Sequence, residues 1–372
     1  GHKILLGFGV IEQKSKGFLK PLFAYYPRKL LRDHRRQTAT GRPFTWFSTS
    51  GSCLCYTLTR TTHTHTPHTL CVMSTAATPQ RRYTTKRQFT ATNIISSLDH
   101  HGYCILEHYL TQEDLRALRH DFKTLLPTTP TGRNRFEGSK TQRCYSLFQK
   151  TRALDHIVTD PLLLHVLAHT LGSEHCLLSS TVGINIGTNE EAQVPHRDDG
   201  KYPVPRVQQQ QGPELVMNMI IAVDDFSSEN GGTVLYEGSH RWQYEGENNY
   251  ATQHVLENTH EKHKGVKDMD AIKQLNSAVP VHCEMPAGSI MLYRGSLLHG
   301  GGANRSTQSR LGILLEFIQA WLRPQETHLL GVDRDVIASL PVKLQEMLGW
   351  TVTPPFIGYV DGRHPKRLLS KV

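Results

Sequence analysis

His196-Arg197-Asp198 is the segment of this chain best suited to chemistry. On an extended backbone, positions i and i+2 project to one face. An imidazole and a carboxylate then converge while Arg197 turns away. Such a pair supplies two ligands of a two-histidine, one-carboxylate face, which leaves positions open on iron(II) for a co-substrate and dioxygen. The spacing by itself is weak. With 22 histidines and 33 acidic residues in 372 positions, about two His-x-acid pairs arise by chance, and two occur. The second, His282-Cys283-Glu284, leads into a Pro286–Gly288 turn and stands as the alternative pair.

His196 and Asp198 are favoured by their company. His299 lies 101 residues beyond Asp198, after the run Ser289–Tyr293 and before Gly300-Gly301-Gly302. Glycines beside a ligand admit close partners. Arg310 follows and heads Arg310-Leu-Gly-Ile-Leu-Leu-Glu-Phe317. Period two puts Arg310, Gly312, Leu314 and Glu316 on one face. A buried arginine there grips a carboxylate with two parallel hydrogen bonds, and Gly312 leaves room beside it. The plainer alternatives are a turn histidine after a strand and a surface arginine at a strand end.

Two helices and a set of strands are needed to position these groups. Thr111-Gln-Glu-Asp114 reads as a capping box before the apolar stripe Leu115, Leu118, Phe122, Leu125 and Leu126. A second helix runs from Asp160-Pro161 to Leu171-Gly172, with Asp as cap, Pro in the first turn and Gly at the end. Beyond Gly172 come short β-type runs: Leu177–Ile186, Leu215–Val223, Thr233–Tyr236, Ser289–Tyr293 and Leu311–Ile318. Turns at Gly187–Asn189, Glu229–Gly232 and Met285–Gly288 separate several of them. This order predicts an antiparallel sandwich or barrel preceded by helices. Lys262–Asp270 reads as a solvated loop.

The net charge of +9 argues for a nucleic-acid partner only until its distribution is read. Residues 1–72 hold eleven of the 42 basic residues and only two of the 33 acidic ones, Glu12 and Asp33. The remaining 300 residues are therefore neutral, which leaves no basic groove and no nucleic-acid partner. The longest apolar stretch, Leu215–Val223, is interrupted by Asn218 and too short to span a membrane. Residues 1–90 read as a disordered leader, a transit peptide, or sequence preceding a true start at Met73. A start at Met73 implies a cytoplasmic protein, and a transit peptide implies mitochondria or another organelle. Residues 91–372 read as a single domain. Cys104, Cys144, Cys176 and Cys283 show no metal-binding cadence and read as reduced thiols of an intracellular protein.

Further segments accompany the candidate ligands. They include Gly132–Gly138, Thr141–Leu147, Gln193–Asp199, Glu229–Thr233, Gly238-Ser-His240, Met285–Ser289, His299–Arg305 and Gly358–His364. In this order and spacing, over roughly residues 95–370, the chain resembles the phytanoyl-CoA dioxygenase family of iron(II)/2-oxoglutarate oxygenases. The resemblance implies a mainly β fold with flanking helices around a double-stranded β-helix, the jelly-roll or cupin-like core. It implies iron(II) held by His196, Asp198 and His299, with no catalytic side chains beyond these ligands. It implies 2-oxoglutarate bound through its distal carboxylate by Arg310, with Thr233 and Gln193 helping to hold it, and dioxygen as the oxidant. Asp199, Tyr202, Trp321 and Arg323 are expected to line the pocket or to be structural. Where relatives often carry a hydroxyl residue two positions after the last histidine, this chain has Gly301, which puts a second co-substrate contact in doubt.

The implied activity is hydroxylation of a small organic molecule or acyl-type substrate, with release of succinate and carbon dioxide. The carboxylate of Asp198 favours this over halogenation, since related halogenases replace it with a small residue. The alternatives are a non-catalytic cupin-like binding protein and another non-heme iron enzyme such as a halogenase. No CoA-specific signature is present.

Overall fold

The computed structural model describes residues 82–83, 89–202, 204, 212–242 and 277–369. The expectations for residues 1–72 and for Lys262–Asp270 lie outside them. Among the described residues, no helix is long and apolar enough to cross a membrane.

The strands are β1 (Arg82–Tyr83), β2 (Tyr103–Leu106), β3 (Thr141–Cys144), β4 (Cys176–Ile186) and β5 (Val216–Ala222). They continue as β6 (Thr233–Leu235), β7 (Val281–His282), β8 (Ile290–Arg294), β9 (His299–Gly301) and β10 (Arg310–Gln319). One sheet has the order β1-β2-β8-β5-β10-β4-β3 and the other β7-β6-β9. All pairs are antiparallel except β1 with β2. This is the mainly β, jelly-roll arrangement expected of a double-stranded β-helix, with helices on one face. Arg82 and Tyr83 add an edge strand beside Ile105 and Leu106.

Alternation along the strands explains why they read as unbroken apolar runs: both faces are covered. Ile313, Leu315 and Phe317 of β10 enter one core with Met217, Met219 and Ile221 of β5 and Ile290 and Leu292 of β8. That core is covered by α1 (Ala91–His101), α2 (Gln112–Leu125) and, after two single turns at 147–150 and 155–158, α3 (Pro161–Leu171), with the short later helices at Arg334–Ser339 and Val342–Met347 adding Ile337, Leu344 and Met347. Ala222, Met291 and Tyr293 face the other way and pack with Phe226, Leu235, Met285 and Leu297 between the sheets.

The helix ends form as their caps dictate. Thr111 Oγ1 accepts from Asp114 N at 3.2 Å, and Asp114 Oδ2 accepts from Thr111 N at 2.8 Å. These two bonds complete the capping box of α2. Leu115, Leu118 and Phe122 are its buried stripe. Asp160 Oδ1 accepts from Leu162 N at 2.8 Å, and Gly172 ends α3 with φ 70°. A left-handed glycine of this kind is a common helix stop. Each fully buried leucine or phenylalanine contributes roughly 1.5–3 kcal/mol. α1 is weakly signalled in the sequence because its cap, Thr90, opens a helix whose interior is broken by Ser and His.

Candidate metal and co-substrate site

His196 and His299 come together because their backbones pair. His196 N donates to His299 O at 2.8 Å, and His299 N donates to His196 O at 2.9 Å. His299 itself begins β9, whose Gly301 pairs with Thr233 of β6. Arg197 is extended, and the chain then turns through Asp198–Lys201. The i, i+2 projection therefore holds, with His196 and Asp198 facing His299. The Arg197 guanidinium instead donates to Ser239 O at 2.8 Å.

One ligand atom from each of His196, Asp198 and His299 lies within 4.8 Å of the others. The imidazoles are oriented alike. His196 Nδ1 meets Val194 O at 3.0 Å, and His299 Nδ1 meets Leu297 O at 2.9 Å. A carbonyl can only accept, so each Nδ1 carries hydrogen and each Nε2 is the nitrogen turned to the site. Two imidazole nitrogens and one carboxylate oxygen are a donor set that suits iron(II). The alternative pair does not assemble: His282 is exposed on β7, and Glu284 meets the Ser228 hydroxyl at 3.2 Å. Among the described residues, the group formed by His196, Asp198 and His299 is the only such cluster.

Burial, with the charge of His299 beside it, pushes the His196 imidazole down to about 4 and keeps it neutral. Burial also opposes charge on His299, but the Asp198 carboxylate 3.3 Å away outweighs it and raises that imidazole. Burial alone would raise Asp198. The charges of His299 and Lys201 hold it far below the usual carboxylate range. Asp198 thus supplies the one negative charge of the cluster, and a metal cation would take the place of the His299 proton that balances it.

The co-substrate end is built on β10. Arg310, Gly312, Leu314 and Glu316 all face one cavity of about 420 Å³, which also contains His196, Asp198, His299, Thr233 and Gln193. Arg310 is 4% exposed and donates to Gly231 O through Nη2, but its Nε has no partner. Among the described residues, no carboxylate lies within ion-pair distance of it, and burial lowers it to about 9. A buried guanidinium without a charged acceptor is costly. An anion in the cavity would supply both the charge and the acceptor, so the residue fits a carboxylate ligand. Phe226 covers the guanidinium at 3.8 Å from the ring centroid, a stacking that favours the cation. Gly312 makes this possible: a Cβ there would stand 2.6 Å from Phe226 Cζ. The room beside Arg310 therefore serves Phe226.

Thr233 lines the cavity and is 5% exposed. Gln193 is a brace as well as a wall. Its Oε1 accepts from Gly301 N at 2.8 Å, and its Nε2 donates to Phe136 O at 2.8 Å. A Cβ on Gly301 would lie 3.0 Å from Gln193 Oε1, so the glutamine fills the space that a hydroxyl side chain would occupy. The next glycine, Gly302, is needed for close approach, since a Cβ there would stand 2.5 Å from Gly232 O.

The four residues offered as lining do not enter this cavity. Trp321 and Arg323 line a separate one of about 300 Å³ below the end of β10. Tyr202 donates to Arg323 O at 3.0 Å, and Asp199 is buried outside the cavity wall. Other groups at the site are given no role there by the sequence. Phe136 packs edge-on against His196 at 4.8 Å, and Tyr293 OH approaches His299 Nε2 at 3.4 Å. Lys201 bonds Glu316 at 2.5 Å, and Asn218 Nδ2 donates to Asp198 at 2.8 Å. Glu316 and Asn218 are detectable as polar residues inside otherwise apolar strands.

Comparison with known proteins follows the same lines. The family model described as phytanoyl-CoA dioxygenase matches residues 98–312, more than half of the chain. The dioxygenase FUM3 of Gibberella moniliformis is 26% identical over 263 residues, covering 67% of this chain and 79% of its own. The dioxygenase olcK of Penicillium canescens is 26% identical over 269 residues, covering 69% and 80%. Among solved structures, the epimerase SnoN from nogalamycin biosynthesis, in complex with Fe3+, alpha ketoglutarate and nogalamycin RO, aligns with TM-score 0.48 and 15% identity. That alignment covers 63% of this chain and 86% of SnoN. With all three candidate ligands inside the matched span, the chain belongs to the phytanoyl-CoA dioxygenase family.

Proposed function

We propose that this protein is an iron(II)- and 2-oxoglutarate-dependent dioxygenase that hydroxylates a small organic molecule, releasing succinate and carbon dioxide. The observation that carries the reading is the pairing, in one cavity, of the His196–Asp198–His299 cluster with a buried guanidinium that lacks an anion. His196, Asp198 and His299 would hold the metal, and Arg310 the distal carboxylate of 2-oxoglutarate. Iron with 2-oxoglutarate supplies the oxidation of an unactivated carbon–hydrogen bond by dioxygen.

The protein's own contribution is orientation and exclusion of water. The Nδ1 hydrogen bonds to Val194 O and Leu297 O lock both rings. Phe136 and Tyr293 flank the two imidazoles and keep solvent from them. Thr233 and Gln193 shape the wall between Arg310 and the histidines. The curated relatives named above are dioxygenases by name, which supports the reaction class. Anaerobic addition of iron(II) and 2-oxoglutarate should give a visible charge-transfer band, and oxygen should then yield succinate. Neither band nor succinate would refute the proposal.

A further inference from the structure

Beneath the three candidate ligands runs a row of buried polar side chains. Tyr293 on β8 pairs in register with Asn218 on β5, and Asn218 with Glu316 on β10. All three are at most 2% exposed and stand where an apolar residue would continue the strand. Each reaches the ligand cluster. Tyr293 meets His299, Asn218 donates to Asp198 Oδ2 at 2.8 Å, and Glu316 anchors Lys201, whose Nζ lies 4.0 Å from Asp198 Oδ1. Asn218 ties down one oxygen of Asp198, Oδ2, which also lies 3.3 Å from His299 Nε2, while Oδ1 faces the tethered Lys201 cation and His196 Nε2 at 3.9 Å.

We infer that Asn218 and Lys201 are positioning residues that hold the Asp198 carboxylate so that it meets the metal through one oxygen only, an inference that rests on the metal-binding reading of the cluster. Three observations support it. Burying an ion pair and an amide in a strand core is no aid to stability, since apolar side chains of similar size pack there at least as well. The row is confined to the stretch of sheet under Asp198: on the same face, Leu314 of β10 and Ile220 of β5 are apolar. Lys201 is held in place by Glu316, whose Oε2 accepts from Nζ at 2.5 Å, so its cation stays beside Asp198. A carboxylate free to rotate could chelate through both oxygens and block a coordination position needed for the co-substrate or dioxygen. Partners of this kind that orient a ligand typically change metal affinity roughly ten- to a hundredfold when removed.

Cobalt(II) binding to the full chain tests this without turnover, read by visible d–d absorption and by competition with a chelator. Asn218→Leu should keep the wild-type circular dichroism and unfolding temperature, and Lys201→Met is made together with Glu316→Gln, so that no unpaired charge is left buried and its fold is kept too. Both should bind cobalt(II) roughly ten- to a hundredfold more weakly, with altered d–d bands. Lys201→Arg, which restores the cation, should return affinity and spectrum toward wild type. Lys201 lies on a turn outside the sheet, so its variants keep the test open even if Asn218→Leu misfolds. Wild-type affinity and spectrum in both Asn218→Leu and the Lys201→Met, Glu316→Gln double variant would overturn the inference. So would a loss that only follows a drop in unfolding temperature. Wild-type cobalt(II) binding by His299→Ala would instead remove the metal site itself, and the positioning role with it.

Discussion

His196 and His299 exchange both of their backbone hydrogen bonds, at 2.8 and 2.9 Å, and their rings stand 4.4 Å apart between centroids. Residues far apart in sequence are thus fixed by the main chain, and the side chains need only follow. The bridge between β9 and the segment at His196 sets the spacing of the two histidines, while the side chains set their identity.

That division predicts how His299→Ala behaves. Both ladder bonds are main-chain bonds and survive the substitution. The variant should fold, with a near wild-type circular dichroism spectrum, yet form no succinate from 2-oxoglutarate. Succinate production at the wild-type rate would remove His299 from the metal.

Arg310 is expected to act on the co-substrate alone. Losing one partner of a buried charged pair costs on the order of 2–5 kcal/mol, so Arg310→Ala should raise the KM for 2-oxoglutarate at least about thirtyfold. Arg310→Lys should recover little, because a lysine cannot reproduce the planar two-pronged contact. The measurement is succinate formation against 2-oxoglutarate concentration. An unchanged KM in either variant would take Arg310 out of the clamp.

The ligands are more legible in the sequence than what surrounds them. His196, Asp198, His299 and Arg310 can be read because strand periodicity and chain order act on them directly. β4, β5 and β10 fall within a residue or two of their predicted runs, since long apolar runs bounded by Gly and Asn turns leave few alternatives. β3, β7 and β9 are not predicted, because strands of two to four residues, rich in Gly or polar residues, carry almost no periodic signal. Of the two roles open to Trp321 and Arg323, lining and structural, their place in the fold fits the second. They follow β10 past the end of the cavity, where the strand leaves the site. Asn218 reads only as a break in an apolar run, because its partner, Asp198, lies on another part of the chain.

Gly312→Ala should affect both stability and co-substrate binding. The added methyl would stand 2.6 Å from Phe226 Cζ and 3.2 Å from Arg310 Nη1. Overpacking of this kind costs about 1–3 kcal/mol, and it would push Phe226 off the guanidinium. Thermal unfolding should occur at lower temperature, and the KM for 2-oxoglutarate should rise. Phe226→Leu in the same chain should restore part of the stability by opening space, a coupling that a double-mutant cycle measures. Additive effects would show that the two positions do not share this contact.

Cys176 carries a pH dependence of definite sign. It opens β4, is 6% exposed, and burial pushes its thiol up to about 11, well above the unfolded value. The folded chain therefore keeps its proton at a pH where the unfolded chain has lost it. The stabilisation is complete below about pH 8.5–9 and is lost as pH rises through 11, by an amount on the order of 3 kcal/mol. Comparison with Cys176→Ala cancels the titration of every other group. The stability difference between wild type and Cys176→Ala should stay constant up to about pH 8.5 and then shift against the wild type up to pH 11. The same protonation predicts slow alkylation by iodoacetamide at pH 8 in the folded protein and fast alkylation in denaturant. A stability difference that does not change between pH 8 and 11 would mean that the Cys176 thiol ionises as readily in the folded chain as in the unfolded one.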